Sequence, residues 1–244
     1  MAILPTQNRA FEHKYAPRKI KDVLFVDPSV KLEVDQYIAG KTLKPIIFFG
    51  PNGTGKSTLA NLLPYEMVQG LTSFDVLDLN SFDQSDSAKI RQQIWNFTSV
   101  IASNSSNIRF VIMDEMDTFP KPVIQTLKSA INKFSHAVLF IAMTNNLISL
   151  DKGHRSRANC LQISPTNLND WLPRINYILK AENVPVPTSQ ALGNMLANSH
   201  GDNRQFLSDL ERYVNRVRAA TPPPPPPPKK KAIVKMFPKP KTGK

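Results

Sequence analysis

Two short stretches of this 244-residue chain hold side chains whose types and spacing can do phosphate chemistry. The first is Gly50-Pro51-Asn52-Gly53-Thr54-Gly55-Lys56-Ser57, followed by Thr58. Its glycines let the backbone wrap closely, so that successive N–H groups point at phosphate oxygens. Lys56 would neutralise β and γ phosphates, the Ser57 hydroxyl would ligate Mg2+, and the start of the following helix adds a partial positive charge. The second stretch is Asp114-Glu115, placed directly behind the apolar run Arg109–Met113. An apolar strand ending in two acids sets them at the carboxyl edge of a sheet, where ligands bind in open α/β folds. Asp114 would hold the Mg2+ through water, and Glu115 would polarise an attacking water. Two acids after a strand are common. Following a complete phosphate loop by 58 residues, they describe a triphosphate-cleaving site.

The elements that must position these groups are readable from hydrophobic pattern. Pro45–Phe49, Phe74–Leu79, Arg109–Met113 and Ala137–Met143 are short apolar runs rich in Val, Ile and Phe, and Leu161–Ile163 is a weaker fifth. Such runs read as buried strands. Helical patterns lie between them, as in Ser87–Ile101, where Ile90, Ile94, Trp95, Phe97 and Ile101 share a side. Strands alternating with helices predict an α/β fold, a five-stranded parallel sheet covered on both faces, over residues 1–165. Pro64 should end or kink the helix after the phosphate loop. Residues 166–220 carry no strand signal; Leu168, Trp171, Leu172, Ile175, Ile178 and Leu179 recur at helical spacing, and further helices are expected around 189–199 and 204–218. This predicts a small helical domain whose apolar stripe is core.

Residues 221–244 are different again. Pro222–Pro228 is a run of seven prolines, expected to form an extended rod of about 22 Å. Beyond it come seven lysines and no acid, so the tail carries most of the net charge of +12 and leaves the rest at +5. Such a tail suits a polyanion such as nucleic acid, or serves only to solubilise. A single cysteine, Cys160, excludes an intramolecular disulfide and a cysteine metal cage. No apolar run approaches the ~18 residues of a membrane span, and the N-terminus lacks a secretory pattern, so a cytoplasmic location is expected, in a host cell if the chain is viral.

Several further motifs, spread over Phe11–Val217, resemble those of AAA+ sliding-clamp loaders, the group of replication factor C small subunits and the T-even phage loader. His13-Lys14-Tyr15-Ala16-Pro17-Arg18-Lys19-Ile20-Lys21-Asp22-Val23 is similar to the family's E-K-Y-R-P-x-x-L-x-D-V segment, with His13 and Ala16 departing from it. Leu79-Asn80-Ser81 with Lys89-Ile90-Arg91 resembles L-N-A-S-D and the helix after it. Asp114-Glu115-Met116-Asp117 resembles the D-E-A-D box, Ala142–Asn146 the sensor 1 segment, Arg155-Ser156-Arg157 the S-R-C motif, and Gly201-Asp202-Asn203-Arg204 the sensor 2 G-D-M-R.

The resemblance implies an AAA+ P-loop NTPase with a helical lid, binding ATP and Mg2+. It implies that Tyr15 and Pro17 sit near the adenine, and that Asn145, with Thr144 as second choice, senses the γ-phosphate. Arg157, or less favourably Arg155, would reach a neighbouring subunit's ATP, Arg204 would contact the γ-phosphate from the lid, and Arg91 and Lys89 would meet DNA phosphates unless they are simply an exposed helix face. The implied partners are primer–template DNA, a sliding clamp and other loader subunits, in a pentamer. The family's helical collar domain has no counterpart before the proline run. Two other readings remain open: another AAA+ enzyme, such as a helicase loader or branch-migration motor, and a nucleotide-binding scaffold that does not hydrolyse.

Overall fold

Alternation along the strands decides the architecture. The computed structural model describes residues 10–81 and 86–220; the proline run and lysine-rich tail lie outside the described residues. Its five strands are β1 (Ile46–Phe49), β2 (Val76–Asp78), β3 (Arg109–Met113), β4 (Val138–Thr144) and β5 (Asn159–Gln162). They form one sheet in the order β2-β3-β4-β1-β5, with every pairing parallel. Successive side chains point to opposite faces. Ile46, Phe48, Phe110, Ile112, Leu139 and Ile141 enter one core, while Ile47, Val111, Met113, Val138, Phe140 and Ala142 enter the other. Both faces therefore need cover. Helices α2 (Pro28–Ile38) and α3 (Lys56–Met67) supply it on the first, and α4 (Ser87–Thr98) and α5 (Lys121–Phe134) on the second. The expected five-stranded parallel α/β sheet is what forms.

Two local expectations fail. Pro64 does not end α3 early; the helix continues to Met67, and the Pro64 carbonyl accepts the closing bond from the Val68 N–H at 3.0 Å. The proline ring is buried against the sheet, and only one further turn depends on it. Helix α4 stops at Thr98, three residues short of the apolar pattern, so Ile101 is 81% exposed instead of joining Ile90 and Ile94 inside. The stop has a visible cause. The buried Arg109 guanidinium gathers the carbonyls of Phe97, Val100 and Phe74 while stacking 3.8 Å from the Phe97 ring, which pins the chain just after the helix.

After β4 a four-residue helix, α6 (Lys152–Arg155), precedes β5. The remaining chain is helical: α7 (Leu168–Glu182), α8 (Ser189–Asn198) and α9 (Asn203–Ala220). Asn167 and Asp170 form a capping box that starts α7. Trp171, Ile175, Ile178, Leu179, Phe206 and Leu210 meet in a third core; Leu172 points outward at 38% exposure. Phe11 and Tyr15, at either end of the short helix α1 (Phe11–Lys14), pack into this same core. The N-terminal segment, which the sequence reading groups with the sheet, thus shares its interior with the helical half.

Candidate functional site

The carboxyl ends of β1 and β3 bring the two sequence motifs together. Gly50 leaves β1 with φ +144°, and a Cβ there would lie 2.3 Å from the Ile163 carbonyl oxygen, so the strand-to-loop exit requires glycine. Gly53 (φ +72°) and Gly55 (φ +104°) shape the turn that ends at the start of α3. Lys56 is buried and donates to the carbonyls of Gly50 and Pro51 at 2.8 and 2.7 Å. Burial draws its ammonium below the ordinary value; Asp114 and Glu115 oppose this, and Arg204 adds to it. The Ser57 hydroxyl donates to Asp114 Oδ2 at 2.7 Å. A hydroxyl and a carboxylate side by side are hard oxygen donors of the kind that suits Mg2+.

Asp114 is fixed from behind, its backbone N–H donating to Asn80 Oδ1 at 2.8 Å. Glu115 is exposed and adopts φ +47°, ψ +48°, a left-handed conformation that non-glycine residues rarely take. Its N–H donates to Asp114 Oδ1 at 3.0 Å, and its carbonyl accepts from Thr118. Strain of this kind costs about 1–3 kcal/mol and concentrates at functional positions. Thr144 and Asn145 part company: the Thr144 hydroxyl is buried and committed to Asp117 Oδ1 at 2.7 Å, whereas Asn145 is exposed and faces the cavity.

That cavity has a volume of about 710 Å3 and runs between the sheet edge and the helical half. Asn52 to Thr58 form its floor, Asp114, Glu115 and Asn145 one side, and Asp202, Asn203 and Arg204 the opposite wall. Tyr15, Ala16, Pro17, Val23, Leu24 and Trp171 line the less polar end, beside Glu12, His13 and Arg174. The volume is in the range of small-molecule sites. Gly50 and Pro51 touch it only through the loop they begin.

Tyr15 lines this end with its ring, but its hydroxyl turns away and donates to the buried Glu182. Lys14 and Arg218 also donate to that carboxylate, each at 2.6 Å. Burial alone would raise the Glu182 carboxyl; the donations from Lys14, Tyr15 and Arg218 outweigh it and hold it below the ordinary value of 4.5. Arg174 donates to the Tyr15 carbonyl at 2.6 Å. The clamp made at Glu182 has no sequence signal, because its partners are up to 168 residues away. Asn203 bonds the phosphate loop directly, a role that its place in the Gly201–Arg204 motif does not announce.

Four arginine and lysine candidates from the sequence lie outside the cavity. Arg157 is exposed, its guanidinium donating to Gly153 O at 2.7 Å and Asn132 Oδ1 at 3.1 Å. It lines a separate groove of about 410 Å3 with Lys44, Asn132 and Ser135. Arg155 has a buried Nε without a partner and is less accessible. Lys89 and Arg91 are exposed on α4, where Arg91 Nε donates to the Ser87 carbonyl at 3.2 Å. Among the described residues no cluster of three or more His, Cys, Asp or Glu forms a metal cage, and no helix is long and apolar enough to cross a membrane.

Comparison with known proteins agrees with this arrangement. Residues 46–165 match the family model of the ATPase family associated with various cellular activities (AAA). Replication factor C small subunit 2 of Pyrobaculum arsenaticum is 26% identical over 198 residues, covering 81% of this chain and 61% of the relative. Probable replication factor C subunit 5 of Caenorhabditis elegans is 28% identical over 221 residues, covering 86% and 60%. A putative replication factor C small subunit of Acanthamoeba polyphaga mimivirus is 26% identical, covering 87% and 63%. The chain thus spans about three fifths of the length of these relatives. A RuvB variant of Thermotoga maritima superposes with TM-score 0.64 at 20% identity, over 84% of this chain and 67% of that one, a likeness of fold.

Proposed function

On the premise that the chain carries an AAA ATPase domain, we propose that it is an ATP-hydrolysing subunit of a sliding-clamp loader, acting on primer–template DNA. The observation that carries the reading is the meeting, in one cavity, of the phosphate loop, the Asp114-Glu115 pair and a second wall bearing Arg204. ATP enters with its base toward Tyr15 and Pro17 and its phosphates on the Asn52–Thr58 floor. Lys56 exchanges its two loop carbonyls for β and γ oxygens. Ser57 and Asp114 are the residues that would hold Mg2+, which would supply neutralisation of phosphate charge. Glu115 accepts a hydrogen bond from the attacking water and draws off its proton as the water oxygen bonds to the γ-phosphorus. The bond from that phosphorus to the β–γ bridging oxygen breaks, ADP leaves with the bridging oxygen and its electron pair, and the proton passes on to the inorganic phosphate. Asn145 steadies that water or the γ-phosphate, and Arg204 meets the same phosphate from the helical side.

Arg157 cannot serve its own site, since it lies in a different groove. In the proposed mechanism it serves a neighbour's, as a finger across a subunit interface. Its two weak neutral acceptors would be given up for phosphate oxygens, a stronger charge-assisted pairing. Assembly in a pentamer, opening of the clamp, and DNA contacts by Arg91 and Lys89 are further parts of this proposal, supported by the likeness to replication factor C small subunits.

ATP turnover, measured with and without primed DNA, a clamp and partner subunits, tests the proposal. The loader reading expects low basal turnover that rises only when DNA and clamp are both present. Lys56→Ala should abolish nucleotide binding, and Glu115→Gln should keep binding while lowering turnover by about 10²-fold or more. Turnover that is identical under every condition would move the chain to another AAA+ task, and binding without any turnover would make it a scaffold.

A further inference from the structure

The helical half touches the phosphate loop through a residue that the phosphate chemistry does not use. Asn203 opens α9, and its backbone N–H donates to the Gly53 carbonyl at 3.0 Å. Its side-chain Nδ2 donates to the Thr54 carbonyl at 3.2 Å. On the other side Asn203 Oδ1 accepts from the Thr166 hydroxyl at 2.8 Å, and that oxygen accepts from Trp171 Nε1 at 2.7 Å. Thr166 and Trp171 are buried, and Trp171 lines the cavity.

Each polar group in this relay has one role, and the directions are consistent from end to end. The indole can only donate, so the Thr166 oxygen must accept from it and spend its proton on Asn203 Oδ1. That leaves the Asn203 amide with its NH2 toward the loop, where a carbonyl waits. Aspartate would put an oxygen against the Thr54 carbonyl, and an apolar residue would leave the loop and Thr166 without partners. The relay also uses loop carbonyls alone, so the loop N–H groups stay free for phosphates. Thr54 is itself tied back to the Pro51 carbonyl by its hydroxyl at 3.0 Å, so a pull on Thr54 is felt at the start of the loop.

We infer that Asn203 is a positioning residue, the latch that fastens the helical half to the phosphate loop through Thr54 and Gly53 and so sets how long a nucleotide is retained. The inference rests on the nucleotide-binding reading above, but it concerns contacts made within the chain. Opening the helical half away from the sheet must break the relay, and closing it re-forms the relay whether or not a γ-phosphate is present. The latch therefore acts on diphosphate and triphosphate alike, unlike a contact made by Arg204 to the γ-phosphate.

Trp171 provides the readout. In the full chain with Trp95→Phe, the remaining indole belongs to the relay, and its fluorescence can follow Mg-ADP and a non-hydrolysable Mg-ATP analogue in stopped flow. Asn203→Ala should raise the dissociation rate of both nucleotides about five-fold while the association rate changes less than two-fold, the scale of one or two lost neutral hydrogen bonds. Asn203→Asp should exceed that effect, Thr166→Val should share it, and Thr166→Ser should restore wild-type release. Release at the wild-type rate from both Asn203→Ala and Thr166→Val, in protein that still binds, would overturn the latch. Failure of the parent protein to bind either nucleotide would instead overturn the nucleotide reading beneath it.

Discussion

The two walls of the cavity are built on different principles. The sheet wall is made by neighbours in sequence: a strand, a loop and a helix for Gly50–Ser57, and a strand end for Asp114-Glu115, all backed by two apolar cores. The helical wall has its own core, shared with the N-terminal segment and tied together by the Glu182 clamp, and it reaches the phosphate loop through the polar bonds of Asn203. Apolar packing is indifferent to small rotations over a short range, whereas a buried hydrogen-bonded charge is either paired or costly. The comparison teaches a division of labour. In the proposed reading the sheet wall carries most of the reacting groups, and the helical wall governs whether the site is closed around them.

Substitutions that separate chemistry from closure would sharpen that division or break it. The largest effect is expected for Arg157→Ala, which should lower turnover of an assembled complex by about 10³-fold or more while a single copy binds ATP with unchanged affinity. An equal loss in binding would place Arg157 in its own site and undo the contrast.

A smaller effect is expected for Glu182→Gln. It removes the charge shared by Lys14, Tyr15 and Arg218 and should cost about 2 kcal/mol, less than a fully buried pair because Arg218 is half exposed. Denaturant unfolding followed separately at Trp171 in the helical half and Trp95 on α4 should show the first transition shifted more than the second. Coincident shifts would mean the halves unfold as one unit.

The smallest and most graded effect lies in acid. Glu182 titrates below its ordinary 4.5 in the folded chain, so its contribution is complete above that pH and is lost as pH falls through the depressed folded value. In the sheet half Asp75 is fully buried. Burial would raise its carboxyl, but bonds from Ser103 and Thr72 bring it from 3.8 down to about 2. Its contribution should decline between about pH 4 and 2. The Trp171 signal should therefore begin to lose stability at higher pH than the Trp95 signal, and Asp75→Asn should flatten only the latter's acid limb.

Sequence legibility followed the same division. The strands were readable because each is a local apolar run, and the phosphate loop because a complete motif sits between a strand and a helix. Asp114-Glu115 was legible by position alone, although nothing in the letters announced the left-handed backbone of Glu115. Helix ends were read less well. Pro64 obeys its buried surroundings, and Ile101 stays outside because Arg109, eight residues on, takes carbonyls at and just after the end of α4. The helical wall's working residues were least legible. Tyr15 reads as a nucleotide contact, yet its hydroxyl serves Glu182, and nothing in the sequence beside Asn203 points to the loop it bonds. Bonds spanning more than 100 residues leave no spacing to read.

The tightness at Gly50 reaches further than the loop it begins. Ile163, whose carbonyl leaves no space for a side chain at position 50, follows the strand Asn159–Gln162, and Arg157 stands two residues before that strand starts. Any bulk added at position 50 would push on a rigid rod whose far end carries the arginine corner. If Arg157 acts on a neighbour as proposed, a lesion at the start of the loop would be felt at the rim offered to the next molecule, and a genetic screen would score it as a fault of assembly as readily as one of catalysis.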